Sequence, residues 1–209
     1  MTRLKLLTLP PSPYNAKVRM ALKLKGLDFE TVEFGFEERD EVVKQSGQPL
    51  TPVLIDGDRT VYDSFGILRY LDANFSGPPL FSVTKEGQRE IQDWENYGKE
   101  LGTALGLVAG QAFRDEVDDE ATERSKALYL ELPARVEAAL EHQPYLTGDQ
   151  PNAADLSVAP FFQYAIATTE EYPEGMLRFV VERVNLDAKY PRTRAWAQRV
   201  LAIDAVPVA

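Results

Sequence analysis

Residues 4–34 read LKLLTLPPSPYNAKVRMALKLKGLDFETVEF, and three changes of pattern within them predict the first structural elements. The apolar run over residues 4–9 indicates a buried strand that stops at Pro10, because proline has no N–H to donate to a sheet. Apolar residues at helical spacing predict a helix over residues 14–25. Residues 29–34 predict a second strand, which a right-handed crossover would make parallel to the first. The stretch is therefore typical of a βαβ unit.

A hairpin and a helix are predicted after the βαβ unit. An acidic segment at residues 37–44 comes first, and two short apolar runs, 53–55 and 60–62, then flank a glycine-containing turn at 56–58. The next helix is predicted from residue 63 or 64 to about residue 74. One parallel and one antiparallel connection predict a mixed sheet of four strands, which is a thioredoxin-like layout.

The rest of the chain has only helical periodicity. Residues 76–79, Ser-Gly-Pro-Pro, indicate a linker. We therefore expect a thioredoxin-like domain over residues 1–77 and an all-helical domain over residues 83–209, so that an α/β domain is followed by an all-α domain. The predicted helices of the second domain cover residues 85–114, 119–142, 152–168, 174–184 and 191–201.

The composition favours a folded, soluble protein of the cytoplasm. Of the 209 residues 44% are hydrophobic, which is enough for a full core. The formal net charge of −10 would repel nucleic acid. The apolar run near the N-terminus is too short for a membrane span or a signal peptide, so we expect no membrane partner. The chain has no cysteine, which excludes a disulfide framework and a thiolate zinc site, and we expect no metal.

Ser12 is the first candidate for chemistry. It lies just ahead of the first predicted helix and after the carboxyl end of the first strand, where open α/β sheets bind ligands. The N–H groups at a helix start and the helix dipole stabilise a nearby anion by about 0.3–1 kcal/mol, which favours a thiolate over a thiol. The alternative is that Ser12 only caps the helix, since serine is a common N-cap residue.

Two further segments are candidates for ligand binding. A cis bond between Thr51 and Pro52 would turn the backbone of Thr51 outward to pair with an extended peptide, and a trans proline at the start of a strand is the alternative. Asp63 and Ser64 begin a helix whose N–H groups suit a carboxylate, unless both side chains act only as caps. The predicted topology would bring these segments and Ser12 to one end of the sheet.

The combination of these segments resembles the glutathione S-transferase superfamily, of the cytosolic type, over nearly the whole chain. Residues 12–19 resemble its serine-type active-site segment and are closest in spacing to the plant tau-like pattern. Residues 46–57 resemble the segment that carries the family's cis-proline. Asp63 and Ser64 resemble the acidic-serine pair that binds the γ-glutamyl group.

The second half of the chain also contributes to the resemblance. Asn152 and Asp155 are similar to the family's N-capping box, in which two side chains satisfy helix-start donors reciprocally, so both residues would be structural. As a cap defect, loss of Asp155 would cost about 1–2 kcal/mol. Tyr190, Pro191 and Trp196 match the family's last helix. The resemblance thus implies the complete glutathione S-transferase fold.

The resemblance also implies how glutathione would bind as a cosubstrate. The backbone of Thr51, beside Pro52, would pair with the cysteinyl part, while Asp63 and Ser64 would hold the γ-glutamyl end. Ser12 would donate a hydrogen bond to the sulfur and favour the thiolate, which is the nucleophile. The implied activity is attack of this thiolate on small apolar electrophiles, as in detoxification, by a homodimer.

The electrophile would bind between the two domains. The candidates are Pro11 and Tyr14, in the loop before the first helix and at its start, and Tyr97 and Leu101 in the first helix of the second domain. Apolar and aromatic side chains at such positions are by default helix core.

One departure from the family pattern leaves two functions open. Similar proteins have Arg or Lys before the cis-proline to bind the glycine carboxylate, whereas this chain has Gln48, Pro49 and Leu50. Gln48, Lys44 and Arg19 are the candidates to replace the missing cation; Gln48 is predicted as the glutathione contact, and the alternative for Arg19 is a structural role in the helix. The departure favours a non-catalytic, transferase-like binding or scaffold protein. The serine in register favours the transferase, and the lack of cysteine disfavours a thiol–disulfide oxidoreductase.

Overall fold

The structure of the chain is a computed structural model, and its contacts divide the chain into two units. It describes residues 4–35, 38–114 and 116–205. One unit contains the residues up to Ile91 together with those from Leu201 onward, and the other contains Gln92–Val200. The two boundaries between these units, after Ile91 and after Val200, both lie inside helices and after the linker at 76–79. The domain limits expected from the sequence stay a prediction.

The first unit contains a mixed four-stranded sheet, as predicted. Its strands are β1 (Leu4–Thr8), β2 (Phe29–Glu33), β3 (Val53–Asp56) and β4 (Arg59–Tyr62), in the spatial order β2-β1-β3-β4. β1 pairs in parallel with β2 and antiparallel with β3, and β4 is antiparallel to β3. The register pairs Leu7 with Val53 and Val53 with Tyr62. The residues after β1, before β3 and after β4 therefore lie at the same edge of the sheet.

The first unit also contains one helix that the sequence analysis did not predict. Three helices lie entirely within it, α1 (Pro13–Leu24), α2 (Asp40–Ser46) and α3 (Ser64–Asn74), and α1 packs against α3. α2 occupies most of the acidic segment, whose residue Glu37 lies outside the described residues. Seven residues are too few to show a helical period. The helix is anchored instead by Val42, which is buried against Leu7 and Val53, and it ends at Gly47 in the left-handed region.

Helices follow along the rest of the described chain. They are α4 (Lys85–Gln111), α5 (Asp119–Glu131), α6 (Pro133–Ala139), α7 (Ala153–Val158), α8 (Gln163–Ile166), α9 (Gly175–Val184) and α10 (Pro191–Ala205). The single helix predicted over 119–142 is in fact two, since Pro133 has no N–H and begins a new helix. The helix predicted over 152–168 is interrupted by a 3-10 turn, Ala159–Phe162, which contains Pro160. Within the described ranges, no helix has the length and apolar character to cross a membrane.

Asp155 is the centre of a buried polar network in the second unit. Its carboxylate accepts hydrogen bonds from Leu146 N at 3.0 Å, Asn152 N at 3.1 Å and Trp196 Nε1 at 2.8 Å. Asn152 Oδ1 accepts from Ala154 N at 2.9 Å, and the capping box at the start of α7 is present. Burial raises the pKa of the Asp155 carboxyl group, although the three donors act against this rise. The network joins a loop, the start of α7 and the middle of α10.

Glu137 of α6 caps the start of α10 in the same unit. Its Oε2 accepts from Thr193 N and Thr193 Oγ1, both at 2.8 Å, and its Oε1 accepts from Arg192 N at 3.1 Å. Burial would raise the pKa of Glu137, but these hydrogen bonds outweigh it and hold the pKa below its ordinary value. The ionised carboxylate therefore stabilises the fold above the ordinary glutamate pKa of about 4.3, and this contribution is lost as the pH falls through the lowered pKa.

We expect Glu137→Gln to lower the free energy of unfolding by about 1 kcal/mol near neutral pH, as the loss of a helix cap does. The difference from wild type should disappear at a pH below the folded-state pKa, where the native carboxyl group is protonated as well. Urea unfolding at several pH values measures this. The exposed Glu131→Gln is the matched control, and an equal loss at acid and neutral pH would contradict the prediction.

Candidate active site

A cavity of about 600 Å³ opens in the first unit at the sheet edge where β1 ends, β3 begins and β4 ends. Its size is within the range usual for small-molecule sites. The lining includes all six predicted glutathione contacts, Ser12, Gln48, Thr51, Pro52, Asp63 and Ser64. The register of the strands explains this convergence, because Leu7, Val53 and Tyr62 lie side by side and each is at or next to the end of its strand from which one of these segments extends. Leu9, Tyr14, Arg39, Leu50 and Tyr62 complete the described lining.

Ser12 occupies the N-cap position of α1, but its side chain does not cap the helix. Its backbone is extended, with φ −77° and ψ 126°, and its hydroxyl accepts no hydrogen bond from the described first turn. Its backbone is held on both sides, since Ser12 N donates to Leu9 O at 3.0 Å and Ser12 O accepts from Asn15 N and Ala16 N, both at 3.0 Å. The alternative that Ser12 acts only as a capping side chain is therefore not observed.

The Thr51–Pro52 peptide bond is cis, so the trans alternative is not found. The Thr51 side chain accepts a hydrogen bond from Asn15 Nδ2 at 3.2 Å, and the Asn15 Oδ1 accepts from Leu9 N at 3.2 Å. Asn15 is fully buried. Asn15 is not among the site residues predicted from the sequence, where the available signal is a polar residue three positions after Ser12, on the buried face of α1 that also carries Lys17.

Asp63 and Ser64 form the start of α3 at the cavity. Asp63 has φ +66°, in the region that favours glycine, and such strain is found preferentially at ligand sites. Its exposed carboxylate accepts from Phe65 N at 3.4 Å and from Gly66 N at 3.3 Å, which leaves it capacity for a cation. Ser64 is almost fully buried, and its N–H is the first helix-start donor that no intrahelical carbonyl can reach. Capping and ligand binding are thus compatible at this helix start.

Tyr14 and Lys17 connect the starts of α1 and α3. Burial raises the pKa of the Tyr14 phenol, and the negative charge of Asp63 raises it further, so the phenol is protonated at neutral pH. The ammonium group of the buried Lys17 lies 3.2 Å from the centroid of the Phe65 ring, which is a cation–π contact. The contact between Lys17 and Phe65 therefore joins α1, which follows Ser12, to α3, which begins at Ser64.

Gln48 lines the cavity, but its amide group is occupied within its own loop. Its Nε2 donates to Ser46 Oγ and to Leu50 O, both at 2.9 Å, and its Oε1 accepts from Leu50 N at 2.7 Å. An amide nitrogen has two hydrogens, so this arrangement leaves Gln48 no side-chain N–H for a carboxylate. Among the described lining residues, Arg39 carries the one positive charge. The sequence analysis missed Arg39 because it comes just before an unpredicted helix, in a segment that is otherwise acidic.

The other two candidates for this contact, Arg19 and Lys44, have other partners. Arg19 Nε donates to Asp204 Oδ2 at 2.9 Å, and its terminal nitrogens donate to Thr8 Oγ1 and Pro10 O. Arg19 is therefore a structural helix residue. Lys44 is exposed and lies 3.5 Å from Glu41, and it is outside the described lining.

Of the four candidates for the electrophile pocket, one lines the cavity and three are not among its described lining residues. Tyr14 lines the cavity, whereas Pro11 is not among the described lining residues. Tyr97 and Leu101 belong to the second unit and are buried, and the Tyr97 hydroxyl donates to Leu132 O. Burial raises the pKa of the Tyr97 phenol. The role of these residues in electrophile binding stays a prediction.

A thioredoxin-like unit with this cavity, followed by a helical unit, is the architecture of cytosolic glutathione S-transferases. The model of the glutathione S-transferase N-terminal domain matches residues 6–79, and the model of the C-terminal domain matches residues 119–199. The two matches together cover well over half of the chain. The chain therefore belongs to the glutathione S-transferase family of enzymes, and the resemblance inferred from its motifs is confirmed.

Relatives from plants and bacteria are similar to the chain. Glutathione S-transferase Z2 of Arabidopsis thaliana is 31% identical over 157 residues, which are 69% of this chain and 68% of that protein. A tau-class enzyme structure from mango, Mangifera indica L., is 25% identical and covers 96% of this chain and 89% of its own, with a TM-score of 0.76. A glutathione S-transferase structure from Methylobacterium radiotolerans, in complex with glutathione sulfonate, is also 25% identical and covers 100% and 96%, with a TM-score of 0.78. The likeness thus extends over both units.

Proposed function

We propose that the chain is a glutathione transferase that activates glutathione as a thiolate for attack on small apolar electrophiles. The observation that carries this proposal is that Ser12 lines a cavity together with Thr51, Asp63 and Ser64, while its hydroxyl is not used as a cap. The family relationship supports the transferase over the alternative of a non-catalytic binding or scaffold protein.

The proposed reaction needs an ionised sulfur next to Ser12. The thiol of glutathione releases its proton to solvent, and the Ser12 hydroxyl donates a hydrogen bond to the thiolate, which lowers the pKa of the thiol. The thiolate then attacks the electrophile, so that a carbon–sulfur bond forms and the leaving group departs with its electron pair. Ser12 stays unmodified, and the enzyme contributes ionisation and orientation.

Positively and negatively charged groups of the cavity would bind the rest of glutathione. The Asp63 carboxylate would bind the γ-glutamyl ammonium group, and Ser64 with the start of α3 would bind the γ-glutamyl carboxylate. The backbone of Thr51 would pair with the cysteinyl part. We propose Arg39, in place of Gln48, as the partner of the glycine carboxylate, since a guanidinium group suits a carboxylate in charge and geometry.

Binding to immobilised glutathione, followed by a conjugation assay with 1-chloro-2,4-dinitrobenzene, tests the proposed function. We expect wild type to be retained on the matrix, eluted by free glutathione and active in conjugation. Retention without conjugation of this or other electrophiles would support the binding protein instead. Absence of both retention and conjugation would overturn the proposal.

We expect Arg39→Gln to raise the KM for glutathione about 10- to 100-fold, because it removes a charge-assisted contact worth about 1.5–3 kcal/mol. The kcat should change little, since the glycine end of the tripeptide is remote from the sulfur. Steady-state kinetics with varied glutathione measure both constants.

The ligand itself provides a second comparison for Arg39. γ-Glutamylcysteine lacks the glycine carboxylate, so Arg39→Gln and wild type should bind it about equally well. The exposed Arg89→Gln is a control of the same charge change in the same unit. An equal loss of affinity for both ligands would show that Arg39 acts on the loop and does not bind this carboxylate.

Three features that the resemblance implies stay predictions for this chain. They are a homodimer, a cytoplasmic location and a role in detoxification.

A further inference from the structure

Thr51 is connected to the Ser12 loop through a buried side chain. Asn15 Nδ2 donates to Thr51 Oγ1 at 3.2 Å, and Asn15 Oδ1 accepts from Leu9 N at 3.2 Å. Leu9 O in turn accepts from Ser12 N at 3.0 Å. A continuous path of hydrogen bonds therefore runs from the Thr51 side chain to the Ser12 backbone.

The loop that carries Ser12 has few backbone donors of its own. Pro10 and Pro11 have no N–H, so the donors between the end of β1 and α1 are those of Leu9 and Ser12. The Leu9 N–H is buried and donates its hydrogen bond to Asn15 Oδ1. Asn15 is 0% exposed, so solvent cannot replace either of its two hydrogen bonds without opening the core. The amide of Asn15 is thus a rigid spacer between two parts of the cavity wall.

We propose that Asn15 and Thr51 form a positioning pair for thiolate formation. This inference rests on the proposed function, in which glutathione pairs with the backbone of Thr51 while its sulfur meets the hydroxyl of Ser12. The pair sets the distance between these two contacts, and a hydrogen bond to sulfur depends steeply on that distance. The threonine hydroxyl is the acceptor that makes the pair possible in this chain.

The Thr51→Val variant tests the pair directly, because valine removes the hydroxyl and keeps the shape and the backbone. We expect the KM for glutathione to rise about 3- to 10-fold, the factor that corresponds to one neutral hydrogen bond. We also expect the pH profile of kcat, measured at saturating glutathione, to move to higher pH by about half a unit to one unit, since the bound sulfur no longer meets Ser12 at the best distance. Thr51→Ser retains the hydroxyl and should restore both values.

A double-mutant cycle separates the pair from two independent contributions. Asn15→Ala should impair glutathione binding at least as much as Thr51→Val, because it also leaves Leu9 N without its acceptor. In the Asn15→Ala background, Thr51→Val should have almost no further effect on KM or on the pH profile. Additive effects of the two substitutions on KM would overturn the proposal.

The matched control is Thr193→Val, which makes the same substitution at a buried threonine of the second unit. Thr193 Oγ1 is hydrogen bonded to Glu137, so its loss should lower the free energy of unfolding and leave the KM and the pH profile unchanged. If Thr51→Val and Thr193→Val destabilise the fold equally and neither moves the pH profile, Thr51 is only structural and the proposal fails.

The outcome for wild type distinguishes this inference from the proposed function. If the wild-type protein does not bind glutathione, both the proposed function and the positioning pair are overturned. A wild type that binds and conjugates glutathione, with Thr51→Val indistinguishable from it in KM and pH profile, leaves the proposed function intact and overturns the positioning pair alone.

Discussion

Ser12→Ala is expected to lower kcat/KM by about 10- to 100-fold near neutral pH. A hydrogen bond to a charged group contributes about 1.5–3 kcal/mol, which equals a rise of roughly one to two units in the pKa of the bound thiol. The thiolate fraction falls accordingly, whereas the other contacts with glutathione remain. We therefore expect most of the loss in kcat and little change in KM.

The pH dependence of Ser12→Ala provides the decisive measurement. Above the ordinary thiol pKa of about 8.5, the sulfur ionises without help, so the difference between the variant and wild type should shrink as the pH rises. Ser76→Ala, an exposed serine in the linker, is the matched control. A variant that keeps wild-type activity and an unshifted pH profile would rule out Ser12 as the group that stabilises the thiolate.

Asp155→Ala is expected to lower the free energy of unfolding by about 3–5 kcal/mol. The substitution leaves the N–H groups of Leu146, Asn152 and Trp196 without an acceptor, and each buried unsatisfied donor costs about 1–3 kcal/mol before relaxation. The value of about 1–2 kcal/mol expected from the sequence covers only the cap. For a chain of this length the change corresponds to a fall in Tm of about 10 °C.

Thermal and urea unfolding of Asp155→Ala test this expectation, and Trp196 fluorescence reports on the network itself. Asp149→Ala, at an exposed residue just before α7, is the control and should stay within about 0.5 kcal/mol of wild type. A loss no larger than that of a simple cap would mean that the contacts with Leu146 and Trp196 contribute nothing to stability.

Local signals explain why much of the first unit could be predicted. β1 and α1 were expected at residues 4–9 and 14–25 and are found at Leu4–Thr8 and Pro13–Leu24. The prolines and the change from a continuous apolar run to helical spacing mark the boundaries. The hairpin and α3 are equally predictable from local sequence, because a glycine turn and an aspartate that caps a helix have the same effect in almost any fold.

Where prediction failed, the determining contact is distant in the chain. α2 is held by Val42 against strands on either side of it in sequence, and no period within seven residues indicates this. The single helix predicted over residues 119–142 is wrong for a local reason, since Pro133 has no N–H and begins a new helix.

The candidate site shows the same distinction between local and distant causes. Residue types and spacing were enough to select Ser12, Thr51 and Asp63, since each lies next to a strand end or a helix start that its neighbours in the chain produce. Their meeting in one cavity depends on strand register, and the hydrogen bonds that occupy the Gln48 amide depend on how its loop closes on itself. Hydrogen bonds and burial between remote residues arise only when the chain packs, so the connection from Asn15 to Thr51, 36 positions apart, could be found only in the folded molecule.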